Sequence, residues 1–459
     1  MKTIVKGKEK ICRVMGRQQI RDVRYRLLKY LLRVECEDGL LLQNMITGEL
    51  VLLTGEEAGR LASLPAKPDD TLLPLIGNFF LVPEDYNEKD TVLVLRTLLK
   101  RLFPAKGING YMILPTTNCN AGCAYCFEHN VGRKNMDDQT AESIVDYISS
   151  KKGPGPVSIH WFGGEPLLGM NQIDHICSLL KERNIEFSSK MTSNGYLFDE
   201  RIAEKAVREW KLRQVQITLD GTEDNYNSIK SYNNAQSSPY RKVLKNISLL
   251  LKKGIEVKLR LSLTSGNADD LDKLIDELES MFKGSSGLYP YIGIVSEEFL
   301  PVYNGTGDCE PLSKERVLEY QALSDRIESI WPSKPAFDGL LVTKCMADDD
   351  GSAAIMPDGK LQKCENIIED SNAYGSIYSE EENKEKRLKY KEKLEFDRCG
   401  DCPLYPGCII LKECIPARRI NDLYCKCLVE QSERKLLHQY TLIASEETGA
   451  GRFEVHFDR

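Results

Sequence analysis

Apolar and polar positions alternate along this chain with two different periods, and the changes of period mark out its parts. In residues 25–103, "YLLRVEC" and "LLLQNMITGELVLL" carry the two-residue period of strands, the second folding back at "ITGE". "GEEAGRLASL" follows as a short helix, and "LLPLIGNFFLVP" as a further apolar piece ended by a proline. The 3.6-residue period of "KDTVLVLRTLLKRLF" then predicts a helix that carries the chain to "PAKG", read as a linker.

The middle of the chain repeats strand and helix in turn. Strand-like runs occur at "GYMILPT", "VSIHWF", "EFSSKMTS", "VQITLD", "EVKLRLSLT" and "YPYIGIV". Helical patterns such as "DDQTAESIVDYISSKK" and "NADDLDKLIDELESMF" separate them. This alternation predicts an α/β unit: a parallel sheet built from right-handed crossovers and curved into a partial (β/α)6 TIM-like barrel. Chemistry in such folds sits at the carboxyl ends of the strands. After about residue 310 the period fades. "SKERVLEYQALSDRIESIW" predicts a bridging helix, and the charged run "SEEENKEKRLKYKEK" a solvated helix face. The expected division is 1–104, 105–309, 310–340, 341–435 and a tail 436–459.

Composition adds limits. The chain has 459 residues, 41% hydrophobic and 29% charged, as in a soluble globular protein with room for about three domains. No window reaches the roughly 18 apolar residues of a membrane span, and the first residues lack the apolar core of a signal peptide. The expected location is therefore the cytoplasm, with no membrane partner. Net charge is −7, yet residues 2–33 hold eleven Lys or Arg against Glu9 and Asp22. Such a basic arm is either a solvated surface or a contact for an acidic partner, peptide or nucleic acid.

Fifteen cysteines change the picture most, because reduced thiols at this density bind metal or do redox chemistry. Cys12, Cys36, Cys177 and Cys309 stand apart and read as small buried hydrophobes. Three others lie in "CNAGCAYCFE", directly after the first barrel strand, as Cys119, Cys123 and Cys126. Three thiolates fall one short of the usual four-ligand shell. Either zinc takes a fourth ligand such as His129, or a [4Fe–4S] cluster keeps one iron open for something else. Two further pieces stand at the same edge: "GGEP" (residues 163–166) after the second strand and "SNG" (residues 193–195) after the third. Glycines there let backbone approach a ligand closely, and a carboxylate can help fix a cationic one.

The three pieces, in this order, resemble the signature of the radical SAM enzymes. The resemblance implies a [4Fe–4S] cluster on Cys119, Cys123 and Cys126, whose open iron is chelated by S-adenosyl-L-methionine. It further implies backbone contacts to the methionyl amine from Gly163, Gly164, Glu165 and Pro166. Tyr125 would then lie near adenine, Phe127 would offer backbone contacts, and Ser193, Asn194, Gln216 and Asp220 would reach ribose or methionine. In that family an electron entering the cluster cleaves the sulfonium, and the resulting 5′-deoxyadenosyl radical takes a hydrogen atom from the substrate.

The later cysteines are patterned too. Thirteen residues separate Cys345 from Gly359 and four more separate it from Cys364; "CGDCPLYPGC" then supplies Cys399, Cys402 and Cys408, followed by Cys414, Cys425 and Cys427. This resembles the SPASM extension of radical SAM peptide-modifying enzymes, although five residues separate Cys408 from Cys414, more than that family's spacing. The resemblance implies one auxiliary [4Fe–4S] cluster on Cys399, Cys402, Cys408 and Cys427. A second would sit on Cys345, Cys364 and Cys414, either open or closed by Cys425. Glu365 follows Cys364 where sulfatase-maturing relatives carry a catalytic aspartate, which implies a catalytic base. The hairpin and helices of residues 1–104 resemble, in outline, a RiPP recognition element, a winged-helix-like domain that binds a leader peptide by strand addition.

Together these expectations describe a maturase with three [4Fe–4S] clusters. It would act on a ribosomally made precursor peptide bound through its leader, drawing electrons from a donor such as ferredoxin or flavodoxin, with no nucleic acid involved. The product would be a thioether or a carbon–carbon cross-link. Two alternatives stand beside it: an anaerobic sulfatase-maturing, formylglycine-forming enzyme, and a zinc or iron–sulfur module that binds nucleic acid through the basic arm.

Overall fold

A computed structural model gives the structure and describes residues 1–128, 131–233, 237–295, 311–333, 339–364, 370–414 and 419–447. His129, Cys309 and Glu365 lie outside the described residues.

The first domain is built on leucine-rich strands. β1 (Lys2–Val5), β2 (Tyr25–Leu27), β3 (Leu31–Cys36), β4 (Gly39–Asn44), β5 (Leu50–Leu53) and β6 (Leu81–Pro83) form a four-stranded antiparallel sheet, order β1-β5-β4-β3, and a separate β2-β6 ribbon. Leu41, Leu42, Leu50, Val51 and Leu53 are fully buried. The β4–β5 reversal is locked by Asn44, whose Oδ1 accepts the N–H groups of Ile46 and Thr47. Thr54 and Glu57 cap the helix Gly55–Arg60 reciprocally. Asn87 starts the helix Glu88–Leu102, which buries Val92, Leu95, Arg96 and Leu99. The basic arm is not bare surface: it contains β1 and the helix Glu9–Met15.

The barrel follows its predicted pattern. β7 (Gly110–Thr116), β8 (Val157–Gly163), β9 (Phe187–Thr192), β10 (Leu212–Leu219), β11 (Glu256–Leu263) and β12 (Leu288–Ile294) run parallel in chain order. Helices Asp138–Lys151, Met170–Glu182, Glu200–Arg208, Pro239–Lys252 and Ala268–Phe282 cover the outer face. Alternation sorts the side chains: Val157, Ile159 and Trp161 of β8 enter the core shared with these helices, so His160 and Phe162 occupy the concave face.

The sheet does not stop at β7. β13 (Ser352–Ile355) pairs parallel with β7, Ser352 opposite Gly110 through Ile355 opposite Ile113, and β14 (Lys360–Gln362) and β15 (Gly375–Ser376) continue antiparallel. The cysteine-rich region thus extends the barrel's sheet to nine strands. The bridging helix spans Lys314–Ile330. The last helix, Asp422–Glu447, runs through the expected boundary at residue 435. It buries Leu436 and Tyr440 in the first domain's core, and Tyr440 Oη donates to Asp38 at 2.7 Å. Arg96, only 3% exposed, ties that domain to the cysteine-rich turns by donating to the carbonyls of Leu341 (3.1 Å), Tyr405 (2.9 Å), Pro406 (3.0 Å) and Cys408 (3.3 Å). Among the described residues no helix is long and apolar enough to cross a membrane.

Candidate functional site

The carboxyl ends of β7, β8, β9 and β10 meet at one edge, and the glycines explain how closely. A Cβ on Gly163 would lie 2.3 Å from the Thr116 carbonyl oxygen, and one on Gly164 2.3 Å from that of Asn118. Gly163 also holds a positive φ of 113°. The end of β8 is therefore pressed against the residues that lead into Cys119, and Glu165 N–H donates to Asn118 O at 2.8 Å.

Glu165 is fully buried, and its carboxylate is used by the protein itself. It accepts the Leu167 N–H (3.1 Å), the Ser193 hydroxyl (2.9 Å) and the Asn194 N–H (2.8 Å). Burial pushes its pKa up to about 7 against these donors. Ser193, expected at ribose or methionine, is 6% exposed and donates its hydroxyl to Glu165. The pair ties the β8 loop to the β9 loop. Asn194 stays at the surface of the site: its side-chain N–H reaches Asn120 Oδ1 at 2.7 Å and Cys119 Sγ at 4.0 Å. Gln216 accepts from Tyr291 Oη at 3.0 Å. Phe127 packs with Met112, Leu114 and Met356 on the concave face.

Asp220, expected at ribose or methionine, likewise has partners within the protein. It is 0% exposed; Tyr125 Oη donates to it at 2.5 Å and Lys230 pairs with it at 3.1 Å. Lys230 in turn donates to Tyr125 Oη at 3.2 Å. Burial opposes the Lys230 charge, but Asp220, Tyr125 and Cys123 raise its pKa well above the ordinary range. Asp220 is thus the counter-ion of a buried cation, which holds the motif's aromatic residue in place. Sequence reasoning missed Lys230; the only signal was a lysine ending the short helix Glu223–Lys230 after "LDG".

The three thiols of the loop lie within electrostatic reach of one another. Burial, then neighbouring negative groups, pushes Cys119 up to about 11 and Cys126 up to about 12. Glu128, also missed, is 4% exposed with no partner for Oε2 among the described residues, and burial pushes it up to about 7. Among the described residues no three His, Cys, Asp or Glu side chains form a ready-made site for a single metal ion. A donor set of three thiols on one loop fits an iron–sulfur cluster.

The later cysteines fall into two groups. Cys408 feels Cys402, Cys425 and Cys399, and Cys402 feels Cys425 and Cys399. Cys427, expected as the final cluster ligand, is 3% exposed and packs with Leu312 and Val317, and the groups acting on it are Glu430, Arg434 and Asp325. Cys425 and Cys427 stand two apart on one helix and so face opposite ways. Of the two, Cys425 is the one that acts on the turn thiols Cys402 and Cys408. Cys345 interacts with Cys414, and Cys364 and Cys414 pack against the same cluster of Ala347, Tyr390, Ile409 and Leu411.

Comparison with known proteins agrees with this geometry. Residues 113–278 match the model of the Radical SAM superfamily. The chain is 31% identical over 171 residues to an uncharacterized protein of Methanocaldococcus jannaschii, covering 37% of this chain and 58% of that protein. It is 24% identical over 184 residues to the radical SAM cyclopropyl synthase TigE of Paramaledivibacter caminithermalis, covering 36% of this chain and 37% of that one. It thus spans less than two thirds of the length of either relative. The solved structure of native anSMEcpe with bound AdoMet superposes with a TM-score of 0.55 at 19% identity, covering 73% of this chain and 99% of that chain. The barrel of this protein has the radical SAM fold.

Proposed function

We propose that the chain is a radical SAM enzyme that modifies a ribosomally synthesised precursor peptide, joining a cysteine sulfur or a side-chain carbon to another carbon. The observation that carries the reading is the loop after β7: three thiols whose approach is fixed by Gly163 and Gly164 and whose aromatic neighbour is held by the buried Lys230–Asp220 pair. Cys119, Cys123 and Cys126 would hold the [4Fe–4S] cluster, and S-adenosyl-L-methionine bound there supplies the 5′-deoxyadenosyl radical. Tyr125, Phe127, Asn194, Gln216 and the backbone of residues 163–166 line the edge where the cosubstrate would lie. Glu165, Ser193 and Asp220 position those groups from behind.

The substrate's place is the concave face. Strand alternation turns His160 of β8, Thr192 of β9, Gln216 of β10 and Tyr291 of β12 toward it, and His160 Nε2 stands 2.9 Å from Thr192 Oγ1. These groups can orient a peptide's polar atoms and exclude water. The cysteine-rich region would hold two auxiliary clusters, one on Cys399, Cys402, Cys408 and Cys425, the other with Cys345, Cys364 and Cys414 as donors. A reduced ferredoxin or flavodoxin is the electron donor of this reading.

Anaerobic reconstitution tests it. The expected result is about twelve irons per chain, formation of 5′-deoxyadenosine with dithionite and S-adenosyl-L-methionine, and its loss in Cys123→Ala. If the reconstituted wild type makes no deoxyadenosine, the reading fails.

A further inference from the structure

In the first domain, the β5 edge and the helix Glu88–Leu102 form a groove that the chain fills with its own residues 2–15. β1 adds antiparallel to β5, Lys2 opposite Leu52, Thr3 opposite Val51 and Val5 opposite Leu50. Lys8 N–H then donates to Thr47 O at 2.7 Å. The helix Glu9–Met15 packs on Glu88–Leu102, burying Ile11 and setting the Lys10 ammonium 5.5 Å from the centre of the Phe103 ring.

The filling is poor where it pairs. None of the four β1 residues is buried, and a register shift between Thr3 and Val5 breaks the ladder, whereas β3 and β4 pair over six positions without a shift. The bulge makes β1's own outer edge a weak template for another strand. At the opposite edge, β3 is packed by the last helix. Val94, Leu98 and Leu102 of the groove helix, spaced four apart, remain 57%, 38% and 59% exposed. A longer ligand has apolar surface there that residues 2–15 leave uncovered.

We propose that this groove is a peptide-binding site in which residues 2–15 are a built-in, displaceable occupant. The ligand that replaces them is an extended peptide with apolar residues at alternate positions, pairing with Leu50–Leu53. The natural ligand is the precursor's leader, an identification that rests on the peptide-modifying reading above. A site closed by its own segment binds an outside peptide more weakly in proportion to the fraction of time it is open.

The test uses the reconstituted full chain, the same protein lacking residues 2–15, and a Thr3→Pro/Ile4→Pro double variant. Successive N–H groups of a strand point opposite ways, so one of the two prolines must remove a donor facing β5. The probe is a fluorescent synthetic peptide, KTIVKGKEKICRVM with Cys12→Ser, followed by anisotropy without S-adenosyl-L-methionine or reductant. The expected result is binding at least tenfold tighter to both variants than to the intact chain. Equal affinity for all three proteins overturns the proposal, as does failure to bind a double variant that melts like wild type. Hydrogen exchange on the intact chain adds an independent reading: Thr3–Val5 should exchange at least tenfold faster than Leu41–Gln43, and equal protection also overturns it. Because no radical chemistry enters these measurements, their failure and a failure to form deoxyadenosine are separate results.

Discussion

The two cysteine-bearing regions are held in opposite ways. The loop of Cys119, Cys123 and Cys126 hangs from a strand end, with Gly163 and Gly164 packed on its root and Lys230 paired behind it. The later cysteines sit on short turns and on a helix, and their order comes from elsewhere in the chain. Arg96 of the first domain grips the carbonyls around Cys408, and the last helix brings Cys425. A site built on a sheet edge is placed by the fold itself, whereas a site built on turns is placed by partners distant in sequence.

The sharpest way to break this contrast is Gly164→Val. Its Cβ would meet the Asn118 carbonyl at 2.3 Å, a main-chain clash that must move the cysteine loop. Deoxyadenosine formation should vanish while about eight of twelve irons remain, read by iron analysis and Mössbauer spectra. Loss of all iron would show that the two regions are not independently placed. Smaller in effect is the Cys425→Ser and Cys427→Ser pair. The first should lose about four irons; the second should keep its iron and lower stability by about 1 kcal/mol, through packing against Leu312 and Val317.

The smallest effect concerns the barrel alone. Burial, with Lys190 nearby, pulls His160 down to about 3 from an ordinary 6.5. Below pH 6.5 the unfolded chain therefore takes up a proton that the folded chain refuses, so stability falls as pH drops from 6.5 towards 3. Between pH 7.5 and 5.5 the loss from this group is about 1 kcal/mol. His160→Gln should remove that part of the slope, measured as the difference between denaturant melts at the two pH values. An unchanged slope would sink the assignment.

The same contrast governs what could be read from sequence. The barrel strands were legible because their apolar runs are local, and the edge motifs followed directly from strand ends. The span "VQITLD" fell short only because β10 begins at Leu212, ahead of the polar pair Arg213 and Gln214. β1 was hidden, since "KTIV" is four residues inside a lysine-rich arm and earns its structure only by pairing with β5. β13 was hidden likewise, as "SAAI" carries no strand signal until β7 lies beside it. At the site, cysteine spacing and glycines were legible. The burial that turns Glu165, Ser193 and Asp220 inward was not, because it depends on Asn194 and Lys230 arriving from other loops. That Cys425 and Cys427 face opposite ways follows from the phase of a helix, which spacing alone does not give.

Arg96 carries one more consequence. Its buried guanidinium lies between the helix Glu88–Leu102 and the turn of Cys408, held by four main-chain carbonyls and by the Tyr405 ring 5.1 Å away. Moving the two apart would break four hydrogen bonds to a buried charge at once. A shift of the helix Glu88–Leu102 would therefore be felt at the turn that carries Cys408, through the carbonyls Arg96 holds.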